Sequence, residues 1–313
     1  MNGSRALSVL TVSGLAVALL SGCAGSTPAA GSAPPADSAS TVPTAGGNGT
    51  TTTSTTTSAS PATRAPSTPA RRAVAVYYVA DTGATGPRLY REFHLRPATP
   101  AVIRDAVDAM LHEAPYDGDY RSLWPRATRV LGVQVAGDLA TVNLSREALG
   151  GSAGSAFEVA SLQQLVWTVT AAAPAVQRVR VLIEGKGSGL VDGREIADFW
   201  GAGGLATQPL RRSVQYEILG PVWLLTPTQG ATVGRQVHFG GTESVFEGTV
   251  SWEVTHAGTL VKRGFSTGVG APGRGTWSGS VTLAPGGYLL RAFESSAKDG
   301  SVTFLDTKAF TVR

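Results

Sequence analysis

The chain has 313 residues, with 26 Lys and Arg against 22 Asp and Glu and a formal net charge of +4. The excess is shallow and forms no long basic run, so neither nucleic acid nor an electrostatic membrane patch is expected as a partner. Its one cysteine, Cys23, excludes a disulfide in the folded part, whose stability must come from burial.

At the N-terminus Arg5 precedes an uncharged apolar run, Ala6 to Leu20, that is shorter than the about 20 residues a bilayer span needs. It reads as a signal peptide over residues 1–22. Leu20-Ser21-Gly22-Cys23 resembles the bacterial lipobox, which implies cleavage before Cys23 and acylation of its thiol. The alternative is an ordinary secretory peptide with a chance cysteine. Residues 23–72 are expected to form a lipid-anchored linker, because Ala24 to Ala70 is almost wholly Ala, Gly, Ser, Thr and Pro and cannot build a core. As a flexible coil it would reach about 35–40 Å. Its Ser/Thr-rich tract also suits O-linked sugar.

Residues 73–212 mix strands and helices. Val74, Val76 and Tyr78 alternate with Ala75, Tyr77 and Val79, giving a strand apolar on both faces, and Leu89 to Leu95 alternates as a second. Thr99 as N-cap and Pro100 at the first helical position open a helix bearing Val102, Ile103, Ala106, Val107, Met110 and Leu111. A hairpin turns at Gly137-Asp138 between Val133/Val135 and Ala140/Val142/Leu144. Ser155-Ala156-Phe157-Glu158 has the pattern of a capping box, and Leu162, Leu165, Val166 and Val169 are spaced for one buried stripe. Val179, Val181 and Ile183 make a last strand. The order ββαββαβ predicts an α+β layer with helices on one face of a small sheet. The second apolar face of strand 74–79 then needs a cover: the following domain, residues 190–210, or another copy or partner.

Residues 213–313 alternate as about seven strands: 216–225, 236–240, 248–255, 260–265, 275–283, 288–295 and 303–312. Turn signals such as Thr226-Pro227, Pro272-Gly273 and Asp299-Gly300 separate them. This spacing predicts an all-β immunoglobulin-like sandwich without the inter-sheet disulfide, Trp252 serving as core tryptophan.

The segments AVAVYYVADTG, RVLGVQVAGDLATVNLS, SAFEVASLQQLVWTVTAA and VRVLIEGKGS with PLRRS resemble the GerMN domain of sporulation and spore germination, over about residues 73–212. PTQGATVGRQVHFGG, VFEGTVSWEV and SAKDGSV resemble the Gmad2 immunoglobulin-like domain, which commonly follows GerMN. The resemblance implies a relation to ring-building folds of envelope assemblies and implies no catalytic residues.

Catalytic patterns are incomplete. Asp81-Thr82-Gly83 follows an apolar strand as in an aspartic protease, but a dyad needs a second such loop and the sequence has none; a polar turn is the simpler reading. Gly185-Lys186-Gly187-Ser188-Gly189 lacks P-loop spacing, Gly201-Ala202-Gly203-Gly204 lacks the strand of a dinucleotide site, and no G-x-S-x-G elbow occurs. His94, His112, His238 and His256 form no pair at metal-ligand spacing, so no metal and no cofactor are expected. Trp167 and Trp252 read as core, Trp200 and Trp223 as near the junction, and Trp124 and Trp277 as loop residues available for ligand contact.

The sequence therefore predicts a non-enzymatic, extracytoplasmic protein held to the membrane through lipid on Cys23. It would bind or organise an envelope protein assembly, with self-assembly one option. The alternative is a cell-wall glycan module using Trp124 and Trp277, and the remaining one an enzyme using Asp81 or an unrecognised site.

Overall fold

The computed structural model describes residues 70–82, 86–150, 155–198 and 208–313. Cys23, most of the linker, Trp200 and Gly201 to Gly204 lie outside them. Strands β1 (Arg71–Asp81) and β2 (Pro87–Pro97) pair antiparallel, Val74 opposite His94 and Tyr78 opposite Tyr90. Opposed residues share a face, so Val76, Tyr78, Glu92 and His94 look one way and Ala75, Tyr77, Arg91 and Phe93 the other. The first face meets the end of helix α1 (Val102–His112), where Tyr78 Oη donates to Glu113 O at 3.3 Å. On α1 the N-cap is Ala101 and not Thr99. Thr99 Oγ1 instead accepts from Ala101 N at 3.1 Å and donates to Asp105 at 2.6 Å, fixing the entering chain two residues upstream.

Strands β3 (Val130–Ala136) and β4 (Leu139–Leu144) form the expected hairpin, with Gly137 at φ 59°, where a left-handed turn favours glycine. Helix α2 (Ser155–Ala172) crosses over to β5 (Arg178–Ile183), which pairs parallel with β4. The strand and helix order is the one expected, but the strands divide into two sheets, β1-β2 and β3-β4-β5. Helix α2 is correspondingly buried all round and not along one stripe. Leu162, Leu165, Val166 and Val169 are buried, and so are Gln163, Gln164, Thr168 and Thr170. It runs along β1, whose Tyr77 N–H donates to Thr168 Oγ1 at 3.1 Å. A small hairpin, β6 (Leu190–Val191) and β7 (Arg194–Glu195), follows.

The expected strand from Tyr216 starts as a helical turn, α3 (Gln215–Ile218), and only β8 (Val222–Thr226) is extended. Gly220-Pro221 separates the two. At Gly220 a Cβ would lie 2.2 Å from the Tyr90 ring, so only glycine lets the chain pass. Beyond it lie β9 (Ala231–Val233), β10 (Gln236–Glu243), β11 (Thr249–His256), β12 (Thr259–Thr267), β13 (Gly275–Thr282), β14 (Gly286–Ser295) and β15 (Val302–Val312). They build a sandwich of sheets β13-β10-β8 and β12-β11-β14-β15-β9.

Two apolar cores result, one from Val74 to Trp223 and one from Val222 to Val312. Trp223 of β8 reaches back into the first, its ring 6.4 Å from Tyr77, while Trp167 of α2 lies 5.5 Å from Tyr77 on the same side. The second face of β1 is thus covered from within the chain, and Arg64–Arg313 is one compact unit.

Candidate functional site

Both tryptophans expected to contact ligand are buried. Trp277 stands within β13, not in a loop, 3% exposed, its Nε1 donating to Trp223 O at 3.3 Å. Trp124 does lie outside helix and strand but is 4% exposed, its Nε1 donating to Ser161 O of α2 at 3.0 Å. Neither offers a ring face for stacking on a sugar, because each fills a core and spends its N–H on a carbonyl. Asp81 ends β1 on the surface, and Thr82 closes the turn by donating to Gly86 O from its amide at 3.3 Å and its hydroxyl at 2.5 Å. Gly83 to Thr85 lie outside the described residues. Gly185 N donates to Asn143 Oδ1 at 2.8 Å and Lys186 Nζ to Leu190 O at 3.0 Å, the bonds of a strand-end turn.

The chemistry of the described unit concentrates where the two cores meet. Lys308 on β15 is 7% exposed and donates to Asp117 Oδ2, to Tyr120 Oη at 3.0 Å and to Asp306 Oδ1 at 3.5 Å. Asp306 also accepts from Tyr120 Oη at 2.7 Å and from Leu224 N at 2.6 Å. Asp119 accepts from Thr307 N at 3.0 Å and Thr307 Oγ1 at 2.7 Å. Asp117, Asp119 and Tyr120 belong to the first lobe and Asp306 to Lys308 to the second, so this network ties the lobes together. Burial pushes Asp306 up to about 6 against the pull of Lys308. It raises Asp117 too, and although burial opposes the Lys308 charge, the two carboxylates outweigh it and hold the amine above its ordinary value. Asp117, Asp119 and Asp306 stand close enough together to ligate a cation. The Lys308 ammonium already bonds two of the three.

A second chain of bonds supports the first. His94, 1% exposed, donates from Nδ1 to Glu113 at 2.6 Å and from Nε2 to Glu92 at 3.1 Å. Burial opposes its charge, but the hydrogen bonds with Glu92 and Glu113 outweigh burial and raise it above the ordinary imidazole value. Glu92 in turn accepts from Tyr116 N at 2.8 Å and Asp117 N at 2.9 Å, so it fixes the loop that presents Asp117 to Lys308. Burial would raise its pKa, yet the bond from His94 and these two backbone bonds hold it below the usual carboxylate range.

Above the network opens a cleft of about 370 Å³ between the lobes, its floor Tyr120, Asp306 and Lys308, its walls Phe93, Trp223 and Leu225. Phe93 is 54% exposed, and Tyr116 at the rim is 58% exposed and stacks on His94 at 4.4 Å. The charged floor is saturated by its own partners, and the exposed Phe93 and Tyr116 rings stand at the entrance beside Arg91. Sequence reasoning missed these residues. The available signal was Asp306 and Lys308 at alternate positions with Phe310 and Val312, which places two charges on the core side of a strand.

Residues 75–188 match the Germane family, described as sporulation and spore germination, and residues 221–301 match Gmad2, described as the immunoglobulin-like domain of bacterial spore germination. The chain joins a Germane domain to a Gmad2 domain. The Germane match spans both sheets and α2 of the first lobe, and the Gmad2 match spans β8 to β14. Both domains thus carry an association with sporulation and germination. No curated protein matches the chain. Among solved structures it is similar to the first GerMN domain of GerM from Bacillus subtilis, at 17% identity and TM-score 0.32 over 45% of this chain and 97% of that one. The tandem GerMN domains of the same protein give 14% and 0.34 over 67% and 62%. A candidate lipoprotein from Clostridium perfringens gives 18% and 0.29 over 45% and 87%. At such TM-scores these likenesses carry no argument. Among the described residues no helix is long and apolar enough to cross a membrane.

Proposed function

We propose that this Germane–Gmad2 chain is a non-enzymatic, lipid-anchored extracytoplasmic protein that binds a partner protein of an envelope assembly through the cleft between its domains. Leu20-Ser21-Gly22-Cys23 supports the anchor, with Cys23 as the acylated residue and residues 23–72 as the tether before domains at 73–212 and 213–313. The observation that carries the binding reading is the cleft itself. Phe93 and Tyr116 are open to solvent while Asp306 and Lys308 on its floor are bonded to their own partners, which suits an apolar anchor side chain from a partner and leaves neither charged group free for acid–base chemistry. The wall-glycan alternative loses its basis in Trp124 and Trp277, since both rings are core.

In-cell photocrosslinking from position 93 tests the proposal, with position 298, exposed on the Gmad2 domain, as control. A discrete protein adduct at 93 that fades when Tyr116 is changed to Ala supports it. A polydisperse, muramidase-sensitive adduct would favour the glycan reading, and equal labelling from both positions would end the cleft reading.

A further inference from the structure

Phe93 and Arg91 line a second cleft on their other side, of about 560 Å³, closed by the end of α2 and by Arg211 and Arg212. Three guanidinium groups face this space. No Asp or Glu is among its described lining residues, and none of the three arginines makes an ion pair with a described carboxylate. Several other described cations do pair with carboxylates. Arg178 and Asp138, beside Arg211, bond to each other at 2.9 and 2.5 Å, and Lys308 has two carboxylates.

Arg91 and Arg212 are instead placed by aromatic faces and one hydroxyl. Arg212 lies 4.2 Å over the Trp167 ring and donates from Nε to Thr170 Oγ1 at 2.7 Å. Arg91 lies 4.9 Å from Phe93 and 5.7 Å from Trp223, with its Nε buried and unpartnered. Stacking holds a guanidinium plane while leaving its N–H edge available, the geometry that suits bidentate recognition of carboxylate or phosphate. Burial, with a smaller contribution from the like charge of Arg91, depresses the Arg212 pKa against the opposing pull of Tyr77.

We propose that Arg91, Arg211 and Arg212 form a binding site for a multiply charged oxyanion, phosphate or polycarboxylate, carried on an apolar or planar body. Tyr77, Phe93 and Val176 supply the wall that such a body would meet, and Gln177 adds a side-chain amide. The site shares Arg91 and Phe93 with the first cleft, but its test is separate from the partner-protein reading, because its probes are small ions that need no partner.

The test is calorimetric titration of the chain from residue 24 at low ionic strength with pyrophosphate, citrate and phosphatidylglycerol vesicles. Saturable binding is expected for at least one probe, weakening with added salt and at least about tenfold in Arg212→Gln. Arg211→Gln, on an exposed residue, should weaken it as well and keeps the test valid if Arg91→Gln misfolds. Arg146→Gln, whose side chain is paired with Asp192, should change nothing. Pyrophosphate or citrate binding supports a free ion as source, and vesicle binding lost in the arginine variants supports a lipid headgroup. No saturable binding to any probe, or binding unchanged in Arg211→Gln and Arg212→Gln, overturns the proposal.

Discussion

Lys308→Met is the sharpest perturbation of the junction. The methionine keeps the length of the side chain but removes the one cation that Asp117 and Asp306 share, leaving two carboxylates that are 2% and 1% exposed. Breaking a buried pair by deleting one partner costs about 3–5 kcal/mol. The loss should depend on pH, with a sign set by the acids. Asp306 titrates at about 6 in the fold against an ordinary carboxylate value near 4, so the folded chain holds its proton more tightly than the unfolded one. Its contribution therefore favours folding at low pH and is withdrawn as pH rises from about 4 through 6. Without Lys308 both acids rise further, and protonation relieves the unpaired charge. Urea denaturation of the wild type and variant should show the full loss at pH 7.5 and a loss at least about 1 kcal/mol smaller at pH 5. A loss below about 1 kcal/mol at pH 7.5, or one that does not change with pH, would refute the view of the network as a charge-saturated tie between the lobes.

Cys23→Ala should shift the protein from the membrane fraction to the soluble or unprocessed form; a variant that is trimmed and retained as before contradicts acylation. Gly220→Ala drives a methyl group into the Tyr90 ring and should cost about 1–3 kcal/mol by thermal or urea unfolding, whereas a neutral result would mean that the 220–221 passage is freely remodelled. Glu243→Ala removes the buried acceptor of Val245 N, Val269 N and Gly270 N. It should lower stability by about 2–5 kcal/mol and speed hydrogen exchange at the Val269 and Gly270 amides, and unchanged exchange there would count against the bonds.

The fold was legible where one principle decided it. Alternation placed β11, β13 and β14 to within two residues at each end, and Gly137-Asp138 named its own turn. It was misread where tertiary packing overrode the local pattern. Helix α2 shows a stripe at Leu162, Leu165, Val166 and Val169, yet its glutamines and threonines are buried too, because α1 as well as β1, β2 and β5 pack against it. Reading Trp277 as a loop residue conflicted with the strand expected over 275–283, which contains it, and there Gly275 and Gly279 admit Glu243 and the Phe239 ring at close range. The junction network was the least readable. Asp117 and Lys308 are 191 positions apart, and no local spacing announces such a pair. Arg91, Arg211 and Arg212 were likewise indistinguishable from other surface arginines until the fold brought them to one cleft.

The measurement that bears most directly on a cleft occupied by a partner is hydroxyl-radical footprinting of Phe93 and Tyr116, comparing the anchored protein in cells with the purified chain. Both rings are more than half exposed in the isolated fold, so they should be oxidised readily when purified and protected several-fold in cells, while exposed Phe265 on the Gmad2 domain reacts equally in both. Equal oxidation of Phe93 and Tyr116 in the two settings would contradict the account.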